Sequence, residues 1–270
     1  MVGQIKHIII IESLVNERLT GKEIYDDCIS RRIDLYNKPM THKYYSVSTK
    51  EELIELLKYY QINATYMTGG ILFHLEMHGS KNFDGLVLSN NTLIEWSELI
   101  ELFRPINLIT CNKLFVTMAT CYGRHLYKGV DPTKKSPYSG YISASKAVYP
   151  IEIVEQYSVL FEKLIEYGNL VVAYLEMEKL GSDFFYKDSE ATFKEAYQSF
   201  YDNQANNPDF RAKFNLETKA QAEQLGQPFN EEMADYFFEK SLKEIYAKQK
   251  DAFDFTDCES RISSTKCYIL

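Results

Sequence analysis

Four consecutive isoleucines, Ile8–Ile11, constrain this chain more than any other feature. A strand buried on one face alternates apolar and polar side chains. A strand that is apolar at every position must be covered on both faces, as strands of parallel sheets are. The run Ile5–Ile11 therefore predicts a central strand with helices above and below it. Glu12 follows at once, so the run is too short for a signal-peptide core. No stretch approaches the eighteen apolar residues that a membrane span needs. The expectation is a cytoplasmic chain that meets neither membrane nor, with a net charge of −8, nucleic acid.

The pattern after the first strand repeats the same unit. Thr20–Ser30 reads as a helix opened by Thr20 with Glu23 three residues on, a capping-box spacing. Lys43–Ser48 reads as a strand and Thr49–Tyr60 as a helix capped by Thr49 and Glu52. Gly70–Met77 is the next strand, and Asn82–Ser89 with Asn90-Asn91 a hairpin arm. Glu95–Phe103 reads as an amphipathic helix stopped by Pro105. Leu114–Thr120, Ser139–Ala144 and Leu170–Glu176 read as strands, the last two flanking a helix over Ile151–Tyr167. Strands alternating with helices predict an α/β fold with a mostly parallel sheet, and ligands at the carboxyl ends of its strands.

Beyond Gly181 no convincing strand remains. Ser189–Asn203, Lys219–Leu225 and Asn230–Phe253 read as helices, with Phe193, Tyr197, Phe200 and Tyr201 on one face. The division expected is a core over residues 1–180 and a helical extension over 181–270. At 45% hydrophobic, 270 residues suffice for such a core and appendage. The five cysteines are odd in number and widely spaced, without a CxxC pair. They read as reduced thiols, with Cys28, Cys111, Cys258 and Cys267 structural. The last four residues, Cys267-Tyr268-Ile269-Leu270, match a prenylation box, though no polybasic stretch precedes them.

Two strands end in reactive residues. Gly70–Met77 runs into His78-Gly79-Ser80, and Leu114–Thr120 into Cys121-Tyr122-Gly123. If these strands are neighbours, an imidazole and a thiol meet at the edge where α/β sheets bind ligands. The imidazole can take the thiol proton and the thiolate can attack an acyl carbon. Gly79 permits a sharp turn, so its N–H and that of Cys121 are the candidate oxyanion donors. A helical turn starting at Cys121 would also favour the thiolate. Tyr122 and Arg124 are candidate substrate contacts. His74, Glu76 and His78 alternate along one strand and share a face. They suggest either a metal site of two imidazoles and a carboxylate, or a polar layer that orients His78 or a nearby loop. No phosphate loop, GxSxG elbow or kinase signature is present.

His-Gly after one strand, then Cys-x-Gly after the next, with Cys121 43 positions beyond His78, resembles the caspases, metacaspases and bacterial CHAT proteases. The order of segments over residues 5–177 is similar too: two strand–helix units, a histidine strand, a small hairpin, a helix and a cysteine strand. The resemblance implies a caspase-like α/β/α sandwich, a His78/Cys121 dyad, a protein substrate and no cofactor. It further implies that Ser139–Ala144 pairs with substrate, which makes Ser139 and Gly140 candidate contacts. It also implies a regulated effector in antiphage defence or cell death, switched on by a sensor protein or a nucleotide signal. The chain departs from the family at Met118-Ala119-Thr120-Cys121, where caspases have Gln-Ala-Cys. Ala119 also stands where metacaspases carry an acidic residue. The segment Tyr122–Tyr138 is short for a processed linker, so an intact single chain is expected. The other readings are a caspase-like binding scaffold without turnover and a metallohydrolase using His74, Glu76 and His78.

Overall fold

A computed structural model describes residues 3–131, 134–256 and 258. The box at Cys267–Leu270 lies outside the described residues. The first compact unit runs to Ser189 and includes the segment from Phe255; the second is built mainly from residues 190–254.

In the first unit, strand β1 (His7–Ser13) leads into helix α1 (Thr20–Ile24), a π-helical segment (Tyr25–Ser30) and α2 (Arg31–Leu35). Strand β2 (Thr41–Ser46) and helix α3 (Lys50–Asn63) follow, then β3 (Ile71–Gly79), the short arms β4 (Gly85–Val87) and β5 (Leu93–Glu95), and helix α4 (Trp96–Ile109). Strand β6 (Leu114–Ala119) ends at Cys121 through a turn. Strand β7 (Gly140–Ala144), helices α5 (Pro150–Tyr167) and α6 (Leu170–Glu178) and strand β8 (Phe184–Asp188) complete it. The central sheet has the order β2-β1-β3-β6-β7-β8. All these neighbours are parallel except β7 and β8. This is an α/β fold with a mostly parallel sheet flanked by helices.

The apolar runs explain the two layers. Ile9, Ile11, Phe73, Val116 and Met118 face α3 and α4, while Ile8, Ile10, Leu72 and Phe115 face α1, α5 and α6. Ile8, Ile10 and Ile11 are wholly buried and Ile9 nearly so, each contributing on the order of 1.5–3 kcal/mol of burial.

Several local expectations hold and several do not. Thr49 and Glu52 make the capping box expected at the start of α3. Thr20 caps nothing: Leu19 precedes α1, and the Thr20 hydroxyl donates instead to the buried Glu76. Pro105 does not stop α4, which runs on to Ile109. The two residues after it account for this. Ile106 is fully buried, and the buried Asn107 amide donates to the Ser136 carbonyl at 2.7 Å and accepts from Leu114 N–H. The segment Leu170–Glu176 is helix, not strand. Gly168 ends α5 in a left-handed turn and the Asn169 side chain caps the amides of Val171 and Val172. The buried positions Leu170, Ala173, Tyr174 and Met177 then follow a 3.6-residue period. The strand beside β7 is β8, beyond Gly181, so the sheet extends past the expected boundary.

In the second unit, helices α7 (Ser189–Phe200), α8 (Pro208–Gln224) and α9 (Glu231–Asp251) follow the expected order. The aromatic stripe is spent inside this unit. Tyr197 lies 4.4 Å from Tyr246 between ring centroids, Phe193 packs on Phe253, and Phe210 and Phe214 cover Phe238.

Cys111 and Cys258 form a disulfide, which corrects the expectation of reduced thiols; Cys28 and Cys121 are free. The bridge joins residues 147 apart in sequence. Closing so long a loop restricts the unfolded chain and contributes about 2–4 kcal/mol. Reduction, or Cys111→Ser, should therefore lower Tm by roughly 5–10 °C. A non-reducing peptide map should show the cross-linked pair, and two free thiols at these positions would refute it. Among the described residues, no helix is long and apolar enough to cross a membrane.

Candidate functional site

The sheet brings the two reactive strand ends abreast. β3 and β6 are directly hydrogen-bonded parallel neighbours with Glu76 opposite Ala119. Two residues further on stand His78, still in β3, and Cys121, in the turn just beyond β6. Period-two alternation places both on the face that carries His74, Glu76 and Ala119. Thr120 ties the pair of ends together, its hydroxyl donating to the Met77 carbonyl at 2.8 Å. Gly79 has a steric task there. A Cβ on it would lie 2.1 Å from the Cys121 carbonyl oxygen, so only glycine lets the two chains approach this closely.

The turn after β6 is tighter than the helical start expected at Cys121. Tyr122 has φ 57°, a left-handed conformation uncommon for an aromatic residue, and a 3-10 helix (Gly123–Gly129) begins only after it. The Tyr122 amide donates to the Lys146 carbonyl and that of Gly123 to the Thr120 carbonyl. Both are committed, which leaves the Cys121 amide as the turn's candidate oxyanion donor. The bent turn also separates Cys121 from the short helix, so helix polarity offers its thiol little. Cys121 is partly buried, with Sγ 3.9 Å from the Val148 carbonyl oxygen.

His78 is about half exposed. Its Nε2 lies 2.8 Å from a carboxylate oxygen of Glu17, in the segment between β1 and α1. No hydrogen bond joins His78 to Cys121. Glu17 is the site residue that sequence reading missed. The signal was topological: β1 lies beside β3, so the segment after β1 emerges at the same edge as His78, and Glu17 is the one carboxylate in residues 14–19.

His74 and Glu76 do not join His78 around a common point. His74 Nε2 pairs with Glu76 Oε1 at 2.8 Å, both fully buried, while its Nδ1 meets the Thr117 hydroxyl at 2.8 Å. The other Glu76 oxygen accepts from Thr20. Glu12, opposite Glu76 on β1, accepts from the Gly21 amide and the Tyr44 hydroxyl at 2.8 and 2.6 Å. Burial pushes the Glu12 carboxyl up, opposed by the Tyr44 and Gly21 bonds and reinforced by the charge of Glu76. Of the two readings of this trio, the geometry matches the polar layer that holds a nearby loop. Among the described residues no three His, Cys, Asp or Glu side chains are placed to hold a metal ion.

The remaining candidates divide. Tyr122 packs edge-on against Phe83, with centroids 4.7 Å apart, beside Cys121. The side chain of Arg124 is exposed, and its carbonyl accepts from Tyr141. His125 stands on the same short helix. Its ring rests on Phe83, and burial first, then the charges of Lys128 and Arg124, hold its pKa below the ordinary value. Ser139 and Gly140 are not at the site. Gly140 pairs with Phe115, six residues before Cys121, or about 20 Å away along the strand. Both edges of β7 are occupied, by β6 and β8, so it cannot pair with a substrate strand. The segment after β7, through the carbonyls of Lys146 and Val148, is what lies beside Cys121. No protein-family model and no curated protein matches the chain, so its chemistry rests on these residues and their geometry.

Proposed function

We propose that the chain is a cysteine endopeptidase of caspase-like architecture, with Cys121 as nucleophile and His78 as base. The observation that supports this reading is the parallel pairing of β3 and β6, whose ends meet at the carboxyl edge of the sheet through the close approach of Gly79 to the Cys121 carbonyl. In the reaction the imidazole takes the Cys121 thiol proton and the thiolate attacks the scissile carbonyl. The Gly79 and Cys121 amides receive the oxyanion, and the imidazolium returns its proton to the leaving amine. Water then hydrolyses the acyl-enzyme by the same route. The chemistry needs no cofactor. The order of segments and the His-Gly and Cys-x-Gly endings support the family assignment. By the same resemblance, a sensor protein or a nucleotide signal would switch the enzyme on.

A second reading, a scaffold without turnover, draws on one observation: His78 bonds Glu17 and the Cys121 thiol faces Val148, with no bond between the pair. Pooled fluorogenic peptides, incubated with the protein in chelator and with cell lysate as a source of activator, separate the two. We expect cleavage that survives chelator and stops when a peptidyl electrophile modifies Cys121, located by peptide mapping. Cleavage that continues with Cys121 fully modified would rule out the thiol mechanism.

A further inference from the structure

We propose that Glu17 is the positioning residue of His78, so that the site operates as a Glu17–His78–Cys121 relay. The inference rests on the cysteine-protease reading and adds to it a residue outside the strand endings.

The chemistry of the imidazole is specific about which nitrogen does what. Glu17 takes Nε2, at 2.8 Å. A carboxylate there holds the proton on Nε2 and leaves the lone pair on Nδ1. Nδ1 has no hydrogen-bond partner of its own, so it is the nitrogen open to the thiol proton of Cys121. When that proton moves, the Glu17 carboxylate keeps its bond to Nε2–H and holds the ring in the orientation that receives it.

The surroundings keep Glu17 available for this. Its sequence neighbour Arg18 makes a two-point pair with Glu23, at 2.7 and 2.9 Å, and so does not capture the carboxylate. The segment carrying Glu17 is pinned at both ends by buried groups. At its start the buried Ser13 hydroxyl accepts from the Ser89 amide at 2.9 Å. At its end the Gly21 amide donates to Glu12 and the Thr20 hydroxyl to Glu76, each at 2.8 Å. Glu76 is held in turn by His74. The buried polar layer thus has a use: it fixes the frame from which Glu17 reaches His78.

The test is the rate at which iodoacetamide alkylates Cys121, followed by mass spectrometry at neutral pH with Cys28 as an internal reference thiol. No substrate or activator is needed. Glu17→Gln and Glu17→Ala should each slow alkylation of Cys121 roughly 5–20-fold relative to Cys28, with Tm unchanged because Glu17 is a surface residue, and His78→Ala should slow it at least as much. Glu17→Asp should recover part of the rate, which a merely structural role would not require. If the Glu17 variants react at the wild-type rate while His78→Ala is slow, Glu17 has no positioning role and the dyad stands alone. If His78→Ala is also unchanged, the His78–Cys121 pairing itself is wrong.

Discussion

Cys121→Ala should lower kcat/KM on any peptide the protein cleaves by at least about 10³-fold, and leave Tm within a degree or two of wild type. The size of the effect follows from the role, because without the thiol there is no covalent intermediate and only oxyanion stabilisation and binding remain. The small effect on stability follows from the environment. Cys121 is only partly buried, and its thiol makes only a long hydrogen-bond contact, to the Val148 carbonyl at 3.9 Å. His78→Ala should cost about 10²–10⁴-fold, the range for a positioned general base. The double variant should be no slower than Cys121→Ala alone, because groups that act on the same proton fail together. Steady-state kinetics on all three proteins checks this. Losses that multiply would mean that the two residues serve separate steps, and a fully active Cys121→Ala would end the proposal.

The layers of the fold were readable because burial on both faces leaves a plain sequence trace. An unbroken run such as Ile8–Ile11 admits few alternatives. Expectation and structure part where a local signal competes with tertiary demand. Thr20 has the spacing of a cap, but its hydroxyl is worth more to the buried Glu76 than to the helix end. Pro105 ought to end α4, yet Ile106 and Asn107 still have burial and hydrogen bonds to gain beyond it. Leu170–Met177 is apolar enough for a strand, and only the Asn169 cap and the spacing of its buried residues mark it as helix. The Cys111–Cys258 bridge joins residues too distant in sequence for spacing to suggest.

At the site, the sequence carried the residues at strand ends and lost those that depend on pairing order. His78 and Cys121 stand out because each follows an apolar run and has a glycine, Gly79 or Gly123, within the next two residues. Only the resemblance points to Ser139 and Gly140. They lie away from Cys121 because the first residues of a parallel strand sit at the opposite edge of the sheet, and β8 occupies the free side of β7. Glu17 carries no local mark at all. It becomes visible only once β1 is known to lie next to β3.

Glu76→Ala should be the most destabilising single change in this region, costing about 3–5 kcal/mol in urea unfolding. The argument is one of orphaned partners. His74 and Glu76 are completely buried, and removing the carboxylate strands His74 Nε2 and the Thr20 hydroxyl away from water. Glu76→Gln keeps the volume and one acceptor oxygen and should cost less. Replacing both members, as in His74→Leu with Glu76→Leu, should also cost less than Glu76→Ala, since no buried ionisable group is left unpaired. The charge adds a pH signature. Burial above all, and the neighbouring Glu76 in part, raise the Glu12 carboxyl above its ordinary value. Glu12 therefore holds its proton more tightly in the fold than in the unfolded chain. Its contribution is complete below the ordinary carboxylate range and drains as pH rises through the raised value. Glu76→Gln removes one cause of that rise, so its stability should fall less steeply with pH than wild type between about pH 4.5 and 7. Urea melts at three pH values across that interval decide it. A steeper fall in Glu76→Gln would mean that Glu76 does not act on Glu12 as a like charge, and an unfolding free energy for Glu76→Ala within 1 kcal/mol of wild type would mean that the buried layer is not a structural element of the site.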